Sequence, residues 1–129
     1  MTATARPIVV AGVGRVPASG RPALGMERRE ILENANTWVG WVRADAGKVI
    51  DWHHHGDRDS YIYVVSGGIT IEFGSGGREQ VTAAAGDFIL SPACVVHRET
   101  MSPDAAAEFF VVRVGTGPQT ISVDGPDPG

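Results

Sequence analysis

Short runs of β-prone residues, separated by glycine and proline, are the feature of this sequence that most constrains its fold. Seventeen glycines and eight prolines occur in 129 residues, which is too many interruptions for a helical bundle. The run Ile69–Phe73 alternates apolar and polar residues, as a strand with one buried face does. The sequence therefore predicts an all-β domain, a sandwich or a barrel, built from many short strands.

The predicted strands follow from residue 37 onward. They cover residues 37–43, 49–55, 60–65, 69–73, 88–90, 95–100, 107–114 and 121–123. A glycine-rich turn at residues 66–68 predicts that residues 60–74 form a hairpin. The segment Met26–Glu33 has helical propensity, and we expect it to be either a short helix or an extended segment.

The length leaves room for a single domain. Residues 37–123 are expected to form the barrel. Residues 1–36, with several glycines and prolines, are expected to be an irregular N-terminal arm that packs on the barrel or on a partner subunit. Residues 124–129 are expected to form a frayed tail.

Charge and cysteine content exclude several classes of partner and site. The formal net charge is −4 and the pI is about 5.5, so we expect no binding to nucleic acid or to an anionic membrane. No apolar run approaches the ~18 residues of a membrane span. Cys94 is the only cysteine, which excludes an intrachain disulfide and a thiolate-rich zinc site. The N-terminus lacks a signal-peptide pattern, so we expect a cytoplasmic protein.

Histidines carry the strongest chemical signal in the sequence. His53, His54 and His55 are consecutive, and His97 lies in a later predicted strand. Alternate side chains of a strand share one face, so His53 and His55 would point the same way, and His97 can complete a set of three ligands. Imidazole nitrogen suits Fe, Mn, Co, Ni, Cu and Zn alike. The other interpretation is a solvent-exposed run of histidines in a loop.

Two segments place these histidines in a wider pattern. The first contains, in order, Gly47, His53, His55, Ser60 and Gly67, and the second contains Gly86, Pro92, Cys94, His97 and Met101. Their spacings resemble the two conserved motifs of the cupin superfamily, Gly-x5-His-x-His-x3–4-Glu-x6-Gly and Gly-x5-Pro-x-Gly-x2-His-x3-Asn. The resemblance covers roughly residues 37–114. It implies a double-stranded β-helix (cupin or jelly-roll) barrel that binds one divalent metal ion through His53, His55 and His97.

The sequence departs from these motifs at one ligand and two other positions. The metal-binding glutamate of the family falls on Ser60, and the nearest carboxylate, Asp59, lies one residue earlier. Either a small bulge brings Asp59 to the metal, or the site has three histidine ligands. The second is favoured, with Asp59 as an occasional ligand or as a hydrogen-bond partner of a ligand. The family glycine is Cys94 and the family asparagine is Met101, which predicts changes in turn geometry and in the cavity lining.

Three neutral imidazoles leave the full charge of a divalent ion in place, which favours an anionic or chelating substrate. The resemblance implies a metal-dependent enzyme, foremost a non-haem Fe(II) dioxygenase acting on a small chelating or aromatic substrate. The alternatives are a redox-free isomerase, lyase or cyclase using Mn, Ni or Zn, and a non-catalytic protein that binds a small ligand or a metal. Glu99, two residues after His97, is expected to face the cavity as a general base; a surface salt bridge is the other interpretation.

A homodimer is the expected assembly. The run 60–65 is apolar on both faces, so a second layer is expected to cover it. Ile62 and Val64 would line the barrel, which leaves Tyr61 and Tyr63 on the opposite face for a subunit contact. Small cupins also pair often, so the resemblance implies the same assembly.

Overall fold

The computed structural model of the chain describes residues 7–18 and 24–128. Ten strands and two three-residue 3-10 helices occur in these residues. The strands are β1 (Met26–Glu33), β2 (Thr37–Ala44), β3 (Val49–His54), β4 (Asp59–Ser66), β5 (Gly68–Phe73), β6 (Glu79–Ala84), β7 (Phe88–Ser91), β8 (His97–Met101), β9 (Ala107–Val114) and β10 (Ile121–Ser122). The helices are Val13–Arg15 and Ser75–Gly77. Neither is long and apolar enough to cross a membrane.

The strands form two five-stranded sheets in which the paired strands run antiparallel. Sheet A has the order β1-β2-β9-β4-β7, and sheet B has the order β10-β3-β8-β5-β6. From β2 to β10 the chain passes to the other sheet at every connection except the one between β5 and β6. This winding is that of a double-stranded β-helix, which confirms the predicted all-β barrel.

Two strands lie outside the predicted set, and both are at sheet edges. Met26–Glu33 pairs along β2, from Met26 opposite Ala44 to Glu33 opposite Trp38, so the helical alternative for this segment is wrong. Pairing in the sheet overrides a weak helical propensity. Strand β6 is mostly exposed, and it therefore lacks the apolar alternation that reveals a strand in a sequence. Sheet A begins at residue 26, inside the segment that was expected to be an irregular arm.

The connection between β4 and β5 differs from the predicted hairpin. These strands belong to different sheets, so the prediction for residues 60–74 is wrong. The chain crosses over at Gly67, where φ is +76° and an added Cβ would lie 2.6 Å from the carbonyl oxygen of Ala106. Only glycine fits so close to a neighbouring backbone. The hairpin of this region is β5–β6, closed by Ser75–Gly77.

The hydrophobic core fills the space between the two sheets. Met101, at the position of the family asparagine, is 1 % exposed and belongs to this core. The other core residues are Trp38, Val42, Ala44, Val64, Ile69, Ile71, Ala107, Phe109 and Val111. Burying each large apolar side chain contributes about 1.5–3 kcal/mol to the stability of the fold. Packing of these side chains therefore holds the two sheets together.

The N-terminal segment is held against sheet A by one arginine. Arg29 on β1 donates from Nη1 to the carbonyl oxygens of Val13 and Val16, over 3.1 and 2.7 Å. The same guanidinium lies 5.8 Å from the centre of the Trp41 ring, and it forms an ion pair with Glu27. Residues 13–16 are therefore fixed beside the first two strands of the sheet.

The turn before β8 has a left-handed backbone at Cys94, where φ is +64°. Glycine adopts this conformation without strain, whereas it costs other residues roughly 1–2 kcal/mol. The amide of Cys94 donates to the carbonyl of Gly56 over 2.9 Å, which holds the strained turn in place. This requirement gives a physical reason for glycine in the family motif at the same position.

Candidate metal centre

The register between β3 and β8 shifts just before His53. Ile50 lies opposite Glu99 and His53 lies opposite His97, so β3 uses one residue more than β8 over this stretch. Such a β-bulge changes the direction of the side chains that follow it. Ile50 and His53 therefore both line the interior, while Asp51 between them is exposed.

Three histidine side chains meet inside the barrel. His53 is on β3, His55 directly follows that strand, and His97 begins β8. Their ring centroids are 4.3–5.2 Å apart, and all three side chains are buried. His54 lies outside this cluster, and its Nδ1 accepts a hydrogen bond from the amide of Gly56. The structure thus brings the three predicted ligands together.

Backbone carbonyl groups fix the tautomer of all three imidazoles. Each Nδ1 lies 2.7–2.9 Å from a carbonyl oxygen, which can only accept, so Nδ1 carries the hydrogen. The acceptors for His53, His55 and His97 are the carbonyls of Asp51, Gln119 and Val95, respectively. The Nε2 atom of each ring therefore keeps the lone pair that a metal ion needs.

Glu99 joins the histidines from the same face of β8. Its Oε1 lies 3.0 Å from Nε2 of His97 and 3.5 Å from Nε2 of His53. A carboxylate oxygen and an Nε2 lone pair are both acceptors, so this contact requires a cation between them, either a proton or a metal ion. The position is the one predicted for Glu99, but the carboxylate contacts the histidines directly.

The pKa values of the metal-free cluster reflect this sharing of a proton. Burial raises the pKa of Glu99, but hydrogen bonds from His53 and His97 outweigh burial and hold that pKa below its usual range. Burial lowers the pKa of His97, but the hydrogen bond to Glu99 and its charge outweigh burial and raise the pKa. Burial lowers the pKa of His55 to about 3, with a further contribution from the charge of Arg113. His55 is therefore neutral, which is the form that binds a metal.

The four side chains have the chemistry and spacing of a divalent metal site. One donor atom from each of His53, His55, His97 and Glu99 lies within 4.8 Å of the others. Neighbouring ligands that each lie about 2.1 Å from one ion are about 3 Å apart. The distances of 3.0 and 3.5 Å at Glu99 are close to this value. Imidazole and carboxylate ligands suit Fe, Mn, Ni and Zn, and the donor set fits each of these ions.

Asp59 lies outside the cluster. Its Oδ1 accepts a hydrogen bond from the amide of Ala93 over 2.8 Å, so the side chain is engaged in the turn before β8. The neighbouring Ser60 is fully buried and accepts a hydrogen bond from Nε of Arg113 over 3.2 Å. No bulge turns Asp59 inward, because β4 pairs regularly with β7 from Ser60 onward. The carboxylate beside the histidines comes from β8 instead of β4.

The cluster lies in the wall of a cavity of about 70 Å³. His53, His55 and Glu99 of the cluster form one side of this cavity, and Arg28 and Arg113 supply two guanidinium groups. Its apolar walls include Met26, Val42, Ile50, Ile62, Phe109 and Val111. The cavity can therefore hold a molecule that is partly apolar and partly charged.

The two arginines of this cavity were not predicted from the sequence. Arg113 shares the inward alternation of Phe109 and Val111 on β9, and that pattern is the signal that would have identified it. His97 also lines a second cavity of about 240 Å³ with mostly apolar walls. The cluster thus borders two cavities with different chemistry.

Comparison with known proteins relates the chain to one family. Residues 40–113 match the family described as Cupin domain. The fold is similar to that of KdgF from Halomonas sp., with a TM-score of 0.70 and 18% identity over 85% of this chain and 96% of that one. It is also similar to the Schizosaccharomyces pombe Cnp3 cupin domain, with a TM-score of 0.69 and 8% identity over 81% and 72% of the two chains.

A third similar structure is a protein with a double-stranded β-helix domain from Klebsiella pneumoniae. The TM-score is 0.66 and the identity 24%, over 78% of this chain and 87% of that one. At these identities the likeness concerns the fold alone. No curated protein sequence matches the chain.

Proposed function

Because the chain belongs to the cupin family and carries a buried cluster of three histidines and one glutamate, we propose that it is a metal-dependent enzyme acting on a small molecule. The observation that carries this proposal is the convergence of four donor atoms within 4.8 Å at the wall of an internal cavity. We propose Fe(II) as the ion and a dioxygenase reaction as the activity. This choice follows the resemblance to cupins with three-histidine sites, which include dioxygenases, because the donor set itself fits Fe, Mn, Ni and Zn alike.

Each residue of the cluster has a distinct role in this proposal. His53, His55 and His97 bind the ion through Nε2, with their rings held by backbone carbonyls. Glu99 binds the same ion or accepts a proton at its carboxylate beside the cavity. When bound, the ion supplies Lewis acidity and, if it is iron, redox chemistry. The apolar walls exclude water and orient the substrate.

One observation favours a second candidate, a redox-free isomerase, lyase or cyclase using Mn, Ni or Zn. Glu99 lines the cavity and also contacts His97. A carboxylate in this position can move a proton to or from a substrate whose carbonyl a metal polarises. Such a reaction needs no dioxygen, so oxygen consumption separates the two candidates.

Metal content tests the centre itself. We expect protein purified without chelator to contain about one divalent ion per chain, and His53→Ala and His97→Ala each to bind it at least tenfold more weakly. His54→Ala is the matched control, because His54 adjoins the site and lies outside the cluster. Elemental analysis by mass spectrometry gives the content. Unchanged metal in both variants would refute the centre.

Oxygen consumption tests the reaction. After anaerobic reconstitution with Fe(II), we expect a panel of catechols, diketones, thiols and small carboxylic acids to include a compound that triggers oxygen uptake. Uptake should be absent with His97→Ala and present with His54→Ala. If no compound triggers uptake with a fully iron-loaded protein, the dioxygenase proposal fails, and the same panel is tested anaerobically for product with Mn, Ni and Zn.

A further inference from the structure

Arg113 is a buried cation whose hydrogen-bond acceptors are both neutral. The residue is 7 % exposed. Nε donates to Oγ of Ser60 over 3.2 Å, and Nη1 donates to Oε1 of Gln119 over 3.1 Å. Among the described residues, Arg113 thus donates no hydrogen bond to a carboxylate. A buried guanidinium is ordinarily stabilised by an anion, because removing a charge from water is costly.

The surroundings make the cavity electropositive. Burial lowers the pKa of Arg113 to about 10, and the charge of Arg28 lowers it further, by more than the opposing charge of Glu99 raises it. Arg28 lines the same cavity from β1. The carboxylate nearest the cluster, Glu99, is engaged with His97 and His53. A divalent ion at the cluster would add more positive charge. An anion in the cavity would relieve all of these repulsions.

Arg113 is also held in one orientation before anything binds. Its guanidinium lies 5.1 Å from the centre of the Trp38 ring. Trp38 is fixed in turn, because its Nε1 donates to Oε1 of Glu30 over 2.9 Å. A guanidinium that is already ordered loses little conformational entropy when it binds a carboxylate in a bidentate manner.

We infer that the substrate is a small carboxylate ion with an apolar body, bound by Arg113 and Arg28 at one end and facing the histidine–glutamate cluster at the other. This inference rests on the proposed function for its reacting end, whereas the recognition of the anion stands on the two arginines. The cavity of about 70 Å³ has room for roughly five water molecules, which limits the ligand to a few carbon atoms. Apolar walls favour a short aliphatic acid over a strongly hydrated phosphate ester.

A matched pair of probes tests the charge requirement. Isobutyrate and isobutyramide have nearly the same shape and differ in charge. We expect the zinc-loaded protein to bind isobutyrate at least tenfold more tightly than isobutyramide in a titration followed by NMR, with the preference decreasing as salt increases. Equal affinities would assign recognition to the apolar walls and overturn the inference.

Variants of the two arginines test the assignment. Arg113→Gln and Arg28→Met are each expected to weaken isobutyrate binding at least tenfold and to leave isobutyramide binding within twofold. Arg43→Met is the control, because Arg43 is exposed and paired with Asp45. If Arg113→Gln does not fold, Arg28→Met carries the test, since β1 is an edge strand. Full isobutyrate affinity in a folded Arg28→Met variant would overturn the two-arginine assignment.

Removal of the metal separates this inference from the proposed function. We expect metal-free protein to retain the preference for isobutyrate over isobutyramide, because the arginines remain. If the preference disappears with the metal and survives Arg113→Gln, the carboxylate binds the ion, and the inference is wrong while the metal centre stands. If the protein binds no metal but still prefers isobutyrate, the proposed function fails and the anion site stands.

Discussion

Glu99 is the single residue whose charge most affects the candidate centre. The family motif supplies its glutamate from the position that Ser60 occupies here, and Ser60 instead hydrogen-bonds to Arg113. Glu99 brings a carboxylate to the cluster from β8. A carboxylate ligand cancels one unit of the charge on a divalent ion and strengthens its binding.

Glu99→Gln should reveal whether this carboxylate is a ligand. The variant keeps the size of the side chain and removes its charge, so we expect the affinity for Zn²⁺ to fall about tenfold in a competition titration with a chelator. Glu72→Gln is the control, because Glu72 pairs with Arg98 away from the cluster. An unchanged affinity would mean that the three histidines bind the ion alone.

His55 makes the stability of the metal-free protein depend on pH. Burial lowers its pKa to about 3 in the folded chain, whereas the unfolded chain takes up this proton near pH 6.5. A lowered pKa gives stability above pH 6.5 that is lost as the pH falls towards 3. Lowering the pH from 7 to 5 should therefore reduce the free energy of unfolding by about 2 kcal/mol through His55 alone.

Urea unfolding with EDTA at both pH values measures this loss. The raised pKa of His97 acts in the opposite direction, so the comparison with His55→Gln isolates the contribution of His55. The variant should lose about 2 kcal/mol less than the native sequence over this interval. Identical pH dependence in the two proteins would contradict the buried neutral state of His55.

The sequence identified part of the site because strand parity is a local property. His53 and His55 were placed on one face by alternation, and the spacing of the second motif added His97. The inward position of Glu99 followed from its separation from His97 by two residues. Asp59 was misplaced because its contact with the amide of Ala93 depends on a turn that is distant in sequence.

At the scale of strands, the bulge in β3 explains a further limit of sequence reasoning. Parity alone places Asp51 on the same face as His53, yet Asp51 is exposed and Ile50 lines the cavity. The register shift that causes this is defined by pairing with β8, which the sequence of β3 does not reveal. The predicted β4–β5 hairpin failed for the same reason, because sheet membership is set by distant partners.

Strand β1 also anchors the segment before it, and Arg29→Met should release that segment. The variant removes two hydrogen bonds from a charged donor to the carbonyls of Val13 and Val16, each worth roughly 1.5–3 kcal/mol. We expect trypsin to cleave after Arg15 at least tenfold faster, as followed by mass spectrometry of the released peptide. Arg43→Met is the control, and equal cleavage of all three proteins would show that Arg29 does not hold the segment.

For the molecule as a whole, the most relevant surface is the outer face of sheet A, where β4, β7 and β9 carry apolar side chains. Tyr61 lies between Leu90 on β7 and Val112 on β9, and Tyr63 lies between Phe88 and Phe110 on the same two strands. Phe88 is 81 % exposed and Leu90 is 56 % exposed. A continuous apolar face of this kind usually marks a protein–protein contact.

We propose that a second copy of the chain covers this face and forms the expected homodimer. A two-fold contact places the same apolar residues on both sides, so this face would meet no charged side chain of its own copy at Tyr61, Tyr63, Phe88, Leu90 or Phe110. Light scattering after size exclusion should give twice the chain mass of 13.6 kDa for the native sequence, and a single chain mass for the double variant Phe88→Glu, Leu90→Glu. Val49→Glu makes the same change at an exposed position of sheet B and should remain dimeric. A dimer with a micromolar dissociation constant, or roughly 8 kcal/mol of binding free energy, would be almost fully formed at about 100 μM. A native protein that elutes as a monomer at this concentration would contradict the proposal.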